Sequence, residues 1–474
     1  MNVGRRGFLG LTTSAVAWAG GCAYLAPAGS SKGKTLRAKF GIISDIHLNG
    51  MGDAWTYRHA LEYFRAAKVD GVIIPGDMAS NGSPATLKCV SQIWFDVFPN
   101  GRRPEDGEPV EHIFVSGNHD AYDWAREANC KQVWQECFHE EFQPSYLKIV
   151  KGFPFVGRHW GFPMPSELLA EAARKVDAAT PFFFIQHKHP GNTCYGPWAW
   201  GSDNEKCDSP VELKKYPNVI AFSGHSHYSL TDERSIWQGA FTSIGCGSLK
   251  YGCIPAEEYG AKGVGKMYNG LTFQSDVYRH QGLSGSILPQ QGMVMSIYED
   301  RIVFERRDFN YNASLGDDWV IPLPCATEKP YVFETRAQSY PIPEFPAGAK
   351  LNIVKVEERT DEKSAKKWKR SAPESYEKLT LQIPPATVGA CMMYRLQIEL
   401  EDGSIFAEHR EADYNWHFPP AFATKNPIEY VSVAFELPQE KKFRFRVAPH
   451  NCYGRLGKEI VSDWTHVAAP RARA

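Results

Sequence analysis

The chain has 474 residues, of which 43% are apolar, and its formal net charge is −1 at neutral pH. This length allows a large core and more than one domain. The balanced charge excludes the overall positive field of a nucleic-acid-binding protein and leaves only a local basic groove open, so we expect no specific nucleic-acid partner. No apolar run of about 20 residues follows the N-terminal region, which predicts no internal membrane span. The sequence gives no indication of oligomeric state.

Residues 1–35 predict an export signal followed by a tether. Arg5 and Arg6 precede a weakly apolar stretch rich in Ala, Gly and Thr, which resembles a twin-arginine signal. The alternative is an ordinary amphipathic N-terminus. Residues 19–22 (AGGC) resemble a lipoprotein processing box, although Ala19 stands where such boxes usually have Leu. We therefore expect an exported protein, periplasmic or at the cell surface, with membrane attachment through a lipidated Cys22 left open.

The remaining ten of the eleven cysteines allow two local disulfides. Cys194 and Cys207 bracket one loop, and Cys246 and Cys253 flank a Gly-rich turn. Export permits disulfides, but a twin-arginine substrate folds before export, which weakens that inference. No cysteine spacing indicates a structural zinc site.

From residue 36 onwards, short apolar strands alternate with helical stretches. Continuous apolar runs are typical of strands buried on both faces. Such runs occur at 38–44, 71–75, 112–116, 182–186 and 219–223. Helical periodicity covers 55–67, 124–142 and 166–178. This alternation predicts an α/β domain over residues 36–325.

The pattern changes after residue 325. The segment 328–346 contains four prolines and little helical periodicity. Beyond it, apolar and polar residues alternate in four runs, which predicts a smaller all-β sandwich at residues 345–474. The last hairpin, at 446–454, resembles that of a fibronectin type III domain. We expect this domain to pack on the first one, with glycan binding as the alternative.

Each of the five core strands is followed by a polar cluster. The clusters are DIH at Asp45, GD at Gly76, GNHD at Gly117, HKHP at His187 and GHSH at Gly224. The carboxyl ends of strands in an α/β sheet meet at one crevice. Side chains two positions apart share one side of an extended strand, so we expect D-x-H and H-x-H each to direct two donors to one point. The glycines of GNHD and GHSH are expected to let the chain turn sharply.

These residue types point to metal chemistry. Carboxylate and imidazole donors without thiolates favour Zn, Mn or Fe. Two such ions about 3.5–4 Å apart can activate a water and stabilise both oxygens of an in-line displacement at phosphorus, with an aspartate bridging them. A single D-x-H is usually a surface turn, but five clusters in order, each after a strand, are not explained that way. The sequence predicts a dinuclear hydrolytic site.

The series of motifs resembles the calcineurin-like metallophosphoesterase family over residues 36–325. The resemblance implies a four-layer αββα sandwich, in which two sheets lie between helices. It implies two metal ions, divalent or mixed-valence, of unknown identity. One would be bound by Asp45, His47, Asp77 and His227, and the other by Asp77, Asn118, His187 and His225. His119 would stabilise the phosphoryl group or protonate the leaving oxygen, and Asp120 would lie behind it as a second catalytic residue.

The sequence departs from the family pattern at two points. Many members have His-His-Pro where this chain has His187-Lys188-His189-Pro190. We assign His187 as the ligand because it directly follows the strand, and His189 is the alternative and a candidate substrate contact. Lys188 either points outwards or meets a substrate phosphate. Ser80 replaces the tyrosine of the purple acid phosphatase branch, so we expect no iron–tyrosinate centre.

The loop at 191–209 lies between two ligand motifs and is expected to overhang the site. Its aromatic residues Tyr195, Trp198 and Trp200 are candidate substrate contacts that would stack on a nucleobase or sugar, or else form the core of the loop. Tyr228 and Tyr251 are similar candidates.

The predicted function is metal-dependent hydrolysis of a small phosphoester outside the cytoplasm. A phosphodiester is favoured, because His47 occurs in the phosphodiesterase-like branches of the family. A phosphomonoesterase or pyrophosphohydrolase is the alternative enzyme. A non-catalytic binding scaffold is the alternative of another class, although such members tend to lose ligands that are all present here.

Overall fold

The computed structural model describes residues 35–120, 127–195, 209–252, 290–359, 373–387, 389–423, 425–433 and 436–471. Leu36–Ala474 form one compact unit. The predicted signal, with Cys22, lies outside the described residues, as do Trp198, Trp200, Cys207 and Cys253. Cys194 and Cys246 are buried free thiols in this structure, so neither proposed disulfide is formed here; Cys194 Sγ instead donates to Ser235 O at 3.3 Å.

The described secondary structure comprises strands and a few helices in alternation. The helices are α1 (Trp55–Ala66), α2 (Pro84–Val97), α3 (Glu127–Phe138), α4 (Ser166–Arg174), α5 (Ser209–Leu213) and α6 (Phe333–Ser339). The strands are β1 (Leu36–Ile42), β2 (Gly71–Pro75), β3 (Glu111–Val115), β4 (Ser145–Val150), β5 (Phe153–Arg158), β6 (Phe182–Ile185), β7 (Val219–Ser223), β8 (Ile236–Gln238), β9 (Thr242–Gly245), β10 (Gln291–Tyr298), β11 (Arg301–Asp308), β12 (Ala313–Ser314), β13 (Trp319–Pro322), β14 (Asn352–Arg359), β15 (Ser375–Ile383), β16 (Met393–Leu400), β17 (Ile405–Ala412), β18 (Ile428–Val433), β19 (Phe443–His450) and β20 (Ile460–Val461). Within the described ranges, no helix combines the length and apolarity needed to cross a membrane.

Two mixed sheets form the N-terminal part. The first has the order β12-β11-β10-β1-β2-β3, with β13 paired to β11. Its strands β1, β2 and β3 are parallel, with Ile42 opposite Ile73 and Ile73 opposite Ile113. The second has the order β4-β5-β6-β7-β9-β8, in which β5, β6, β7 and β9 are parallel. The five strands that precede the polar clusters, β1, β2, β3, β6 and β7, are all among these parallel strands.

The two sheets pack face to face, with helices outside. Along β2 the side chain of Ile73 joins the core between the sheets, while Ile74 joins the core under α1 and α2. This division follows from the alternation of side chains along a strand. On the second sheet, Phe183 faces the inner core and Phe184 packs with Leu169 of α4. The four-layer αββα sandwich is confirmed.

The predicted core elements are present, with small shifts at their ends. The five predicted strands correspond to β1, β2, β3, β6 and β7, and each ends within two residues of its predicted end. The helix predicted at 166–178 is shorter, because α4 stops at Arg174. The hairpins β4–β5 and β10–β11 were not predicted, and they supply four of the strands of the two sheets.

The C-terminal part is all-β, as predicted. It has two antiparallel sheets, β14-β15-β18 and β17-β16-β19-β20. Their inner faces share an apolar core that includes Leu379, Leu381, Leu396 and Phe445. The fibronectin-like resemblance and the limits 36–325 and 345–474 stay predictions.

A largely buried group of charged residues, which we call the junction cluster, joins the loop after β7 to the C-terminal part. Its members are Asp232, Glu233, Arg234, Arg306 and Arg336. Arg234 Nη2 lies 2.8 Å from Asp232 Oδ2, and both side chains are fully buried. Arg306 Nη1 lies 2.7 Å from Glu233 Oε1, and Arg336 also pairs with Glu233. Arg234 reaches Met392 Sδ, just before β16, at 3.2 Å.

Candidate metal centre

The parallel strands of both sheets deliver the predicted ligands to one end of the sandwich. Asp45 and His47 follow β1, and Asp77 follows β2. His187 follows β6, and the segment with His225 follows β7. Because the strands run in parallel, their carboxyl ends meet at one edge, and the ligands converge there.

The ligands converge through tight turns and not through extended strands. The φ angles of Asp45, His47, Asp77, His225 and His227 are 51°, 45°, 51°, 71° and 55°. Non-glycine residues rarely adopt this left-handed conformation, and it persists where the surrounding structure enforces it. The expectation that D-x-H and H-x-H lie along extended backbone is therefore wrong, although the ligands do meet.

The glycines beside the ligands are required by close packing. A Cβ at Gly117 would lie 2.2 Å from Asp77 Oδ1, and one at Gly224 would lie 2.0 Å from Ser44 Oγ. Neither glycine has a positive φ, so the expected sharp turn at these positions is corrected. Gly76 has a φ of 100° and is the glycine whose conformation favours the residue type.

The first group of ligand atoms comprises Asp45, His47, Asp77 and His227, and all four residues are buried. His227 Nε2 lies 3.1 Å from Asp45 Oδ1 and 3.0 Å from His47 Nε2. His47 Nε2 lies 3.6 Å from Asp77 Oδ2 and 4.0 Å from Asp45 Oδ1. Ligands at about 2.1 Å from one ion lie roughly 3.0–3.4 Å apart in octahedral or tetrahedral geometry, so this spacing fits a metal.

The second group shares Asp77 and adds His187 and His225. His187 Nε2 lies 3.1 Å from Asp77 Oδ2 and 3.2 Å from His225 Nδ1. Asn118 Oδ1 lies 3.1 Å from the same His187 nitrogen. The structure thus brings together all seven predicted ligands, with Asp77 common to both groups.

Hydrogen bonds outside the cluster decide which ring nitrogens can bind metal. His187 Nδ1 donates to Pro75 O at 2.7 Å, and His227 Nδ1 donates to Tyr251 O at 3.2 Å. A carbonyl oxygen can only accept, so the hydrogen is on Nδ1 and the lone pair is on Nε2. These lone pairs point at the carboxylate oxygens, which are acceptors too. Acceptors that converge on acceptors need either a proton or a metal cation between them, and this set of imidazole and carboxylate donors fits a metal pair.

The pKa values of the ligand side chains reflect how closely these groups are packed. Burial alone would raise the pKa of Asp45, but the imidazoles of His227 and His187 hold it well below its usual value. Burial and the neighbouring His227 lower the pKa of His47 to about 3, which keeps this ring neutral and able to bind metal. Burial opposes charge on His187 too, but Asp77 raises its pKa to about 9. The raised pKa of His187 shows that the Asp77 carboxylate attracts positive charge at this point.

His119 lies beside this cluster and outside both ligand groups, as predicted. Its backbone N–H donates to Asp77 Oδ1 at 2.8 Å, and its ring lies edge-on to His47 at a centroid distance of 4.7 Å. His119 Nδ1 donates to Ser80 O at 2.9 Å. The sequence did not predict this role of Ser80, because a backbone carbonyl leaves no mark in the residue type. The bond leaves Nε2 as the nitrogen that can exchange a proton with a substrate.

Asp120 supports the site from within the core, which corrects its assignment as a catalytic residue. Its carboxylate is fully buried and accepts N–H bonds from Met78, Ala79 and Gly117 at 3.2, 2.8 and 2.8 Å. Burial, and then repulsion by Asp77, raise the pKa of Asp120 to about 7. Asp120 ties the loop after β2 to the loop after β3 and so positions Asp77.

His189 and Tyr195 are corrected in the same way. His189 is 1% exposed, and its ring nitrogens bond to Ser223 Oγ and Ser226 Oγ, both at 2.7 Å. Tyr195 is also 1% exposed and donates to Ser235 Oγ at 2.7 Å. Neither can reach a substrate from solvent. His189 instead supports the ligand loop through Ser226.

Residues beside the second group form a wall that the sequence only partly predicted. Trp160 lies 5.7 Å from both His187 and His225, measured between ring centroids. Lys188 Nζ lies 5.0 Å from the centre of the Trp160 ring. On the other side, Tyr251 stacks on His227 at 4.1 Å. Trp160 was missed because its segment between β5 and α4 carries no ligand motif.

Comparison with known proteins agrees with this geometry. Residues 38–229 match the family model described as calcineurin-like phosphoesterase. These residues include all seven ligands together with His119. Residues 38–229 therefore form a calcineurin-like phosphoesterase domain, which supports a metal-dependent phosphoesterase. A comparison with curated proteins finds no match.

Solved structures with a similar fold share little sequence. A dimetal phosphatase from Danio rerio is 14% identical, and the match covers 61% of this chain and 99% of that one, with a TM-score of 0.37. The purple acid phosphatase PPD1 from yellow lupin is 14% identical over 61% of this chain and 54% of its own length, with a TM-score of 0.39. GAP50, the anchor in the inner membrane complex of Plasmodium, is 12% identical, and the match covers 64% of this chain and 93% of that one, with a TM-score of 0.38. The match thus spans about half the length of the lupin enzyme.

Proposed function

We propose that this protein hydrolyses a phosphodiester outside the cytoplasm, using two metal ions that share Asp77. The observation that carries the proposal is the convergence of two ligand groups on this one carboxylate. A bridging carboxylate holds two ions close enough to act on a single phosphoryl group. Asp45, His47 and His227 would complete the first metal site. Asn118, His187 and His225 would complete the second.

The chain's own residues supply orientation and proton transfer. When bound, two divalent ions supply Lewis acidity, which activates a water and neutralises phosphoryl charge. His119 lies beside both groups with Nδ1 fixed as donor to Ser80 O, so its Nε2 is placed to protonate the leaving oxygen. Asp120 keeps the two loops together through three backbone N–H bonds. Tyr251 stacks on His227 and so packs against that side of the site.

A phosphodiester is favoured over a monoester because His47 is present as in the phosphodiesterase-like branches. The test uses protein purified with excess Mn, Fe or Zn and a pair of substrates, bis-nitrophenyl phosphate and mono-nitrophenyl phosphate. Faster turnover of the diester supports the proposal. Faster turnover of the monoester, or of an inorganic or organic pyrophosphate, would assign the alternative enzyme. No turnover of any phosphoester by protein that holds two metals would indicate a binding scaffold.

The resemblance of residues 1–35 to a twin-arginine signal supports an extracytoplasmic location. The resemblance of residues 19–22 to a lipoprotein processing box supports lipidation of Cys22. Cell fractionation of the full chain and of Arg5→Lys with Arg6→Lys tests export. Cytoplasmic retention of the double variant, with wild type outside the cytoplasm, is the expected result. Release of Cys22→Ala from the membrane fraction would support a lipid anchor.

A further inference from the structure

A cavity of about 250 Å³ opens beside the second ligand group, and we call it the His187 cavity. It is lined by Arg158, His159, Trp160, Gly161, Gln186, His187 and Lys188. At about 30 Å³ per water, it has room for roughly eight water-sized groups, which is enough for a phosphate with part of its linker. One wall, His187, is a metal ligand, so a molecule bound at the metals can extend into the cavity.

The lining of the His187 cavity is cationic. Arg158 and Lys188 both line it, and none of the seven lining residues is acidic. Lys188 makes no ion pair with a carboxylate in the part of the chain that the structure describes, whereas other lysines, such as Lys148 and Lys250, do. Two metal ions nearby would add to the positive field. The charge of the cavity therefore complements an anion.

Lys188 is held at the cavity by its neighbours. Its ammonium lies 5.0 Å from the centre of the Trp160 ring, which is close enough for a cation–π attraction. Trp160 is itself anchored to the end of β3, because its backbone N–H donates to Ser116 O at 3.2 Å and to Ser116 Oγ at 3.1 Å. The backbone of Lys188 accepts from Gln186 Nε2 at 2.8 Å. This arrangement places the Lys188 ammonium beside the Trp160 ring, which in turn lies next to His187 and His225 of the second ligand group.

We infer that the His187 cavity is a subsite for a second anionic group of the substrate, and that Lys188 selects for it. The substrate is then a phosphodiester whose other half carries a further phosphate or carboxylate. This inference rests on the proposed function, because it names the class of substrate for the same site. It also decides between the two roles of Lys188 left open by the sequence.

The test compares two substrates that differ in one phosphate. These are the p-nitrophenyl ester of thymidine 5′-phosphate and the same ester with an added 3′-phosphate. The metal-loaded wild type should show about 10-fold higher kcat/KM for the phosphorylated substrate at low salt, and the ratio should fall as salt rises. Lys188→Met should bring the ratio close to 1, while Lys188→Arg should keep it. Lys175→Met is the matched control. It removes an exposed lysine directly after α4 and should leave the ratio at its wild-type value.

Calorimetry separates this inference from the proposed reaction. Thymidine 3′,5′-bisphosphate should bind the metal-loaded wild type about 10-fold more tightly than thymidine 5′-phosphate, and Lys188→Met should remove the difference. If binding shows this pattern but neither ester is hydrolysed, the subsite stands and the proposed reaction fails. If hydrolysis occurs and Lys188→Met keeps the wild-type ratio, the subsite is wrong and the reaction stands.

Discussion

Two buried clusters of charged residues lie close together along the chain, and they differ in how their charges are balanced. In the junction cluster, arginine N–H groups meet acceptors: Arg306 bonds to Glu233, Leu230 O and Asp317 O. In the metal centre, the imidazole nitrogens of His187 and His227 meet carboxylates with their hydrogens directed elsewhere. A buried cluster that satisfies itself is structural, whereas one made of acceptors alone needs an external cation.

The largest expected effect comes from the carboxylate shared by both metal groups. Asp77→Asn should reduce metal content from two ions to below one and lower kcat/KM by more than about 1000-fold, because one oxygen ligand is lost to both ions. Metal analysis by mass spectrometry and steady-state kinetics measure the two quantities. Glu233→Gln is the matched control in the junction cluster and should keep both metals. Full metal content in Asp77→Asn would contradict the bridging role.

The next effect separates proton transfer from metal binding. His119→Ala should lower kcat by roughly 100- to 10,000-fold while metal content stays near two, since His119 lies outside both ligand groups. The loss should be smaller with nitrophenol as leaving group than with an alcohol, because nitrophenolate leaves without a proton. Unchanged turnover of an alkyl phosphodiester would remove His119 from the mechanism.

The junction cluster should respond in stability and not in chemistry. Glu233→Gln leaves Arg306 and Arg336 without their carboxylate and should lower the free energy of unfolding by roughly 3 kcal/mol. Burial acts to raise the pKa of Glu233, but the two arginines hold it below its usual value. A carboxyl with a lowered folded pKa stabilises the fold at pH values above its unfolded pKa, and that contribution is lost as pH falls through the folded pKa.

The difference in unfolding free energy between wild type and Glu233→Gln should therefore be full at pH 7 and shrink below about pH 4. Urea denaturation at a series of pH values measures it. A difference that stays constant down to acid pH would show that the charge of Glu233 is not what stabilises the junction.

The smallest expected effect tests whether the C-terminal part positions the ligand loop after β7. Gln291, 3% exposed, accepts from Leu230 N at 2.7 Å and donates to His417 O of the C-terminal part at 2.9 Å. Leu230 lies three residues after the ligand His227. Gln291→Leu should weaken metal binding by about 10-fold, as is typical for residues that orient a ligand indirectly.

Gln238→Leu is the matched control, since Gln238 is equally buried and accepts from Tyr331 N at 3.2 Å in the second sheet. It should lower stability and leave metal affinity unchanged. Equal metal affinity in both variants would show that the C-terminal part does not position the ligand loop. Metal titrations of the apo-protein give the comparison.

Much of the site could be predicted from the sequence because its ligands directly follow strands. An apolar run such as 71–75 fixes a buried strand, and the polar residues after it can only lie at the edge of the sheet. The hairpin β10–β11 was not predicted, although β11 alternates apolar and polar residues as the C-terminal strands do. The roles of Asp120 and His189 were also misassigned, because residue type does not distinguish a buried positioning group from one that faces substrate.

The sequence by itself determined the class of chemistry, through seven ligand residues of types that bind metal and their order after five strands. The tertiary structure decided how those ligands meet. Left-handed conformations at Asp45, His47 and Asp77 replace the extended geometry that spacing indicates, since only the folded surroundings can enforce such backbone. It also decided that Trp160 and Lys188 wall a cavity beside His187, because residues 160 and 188 come together only when β5 pairs with β6.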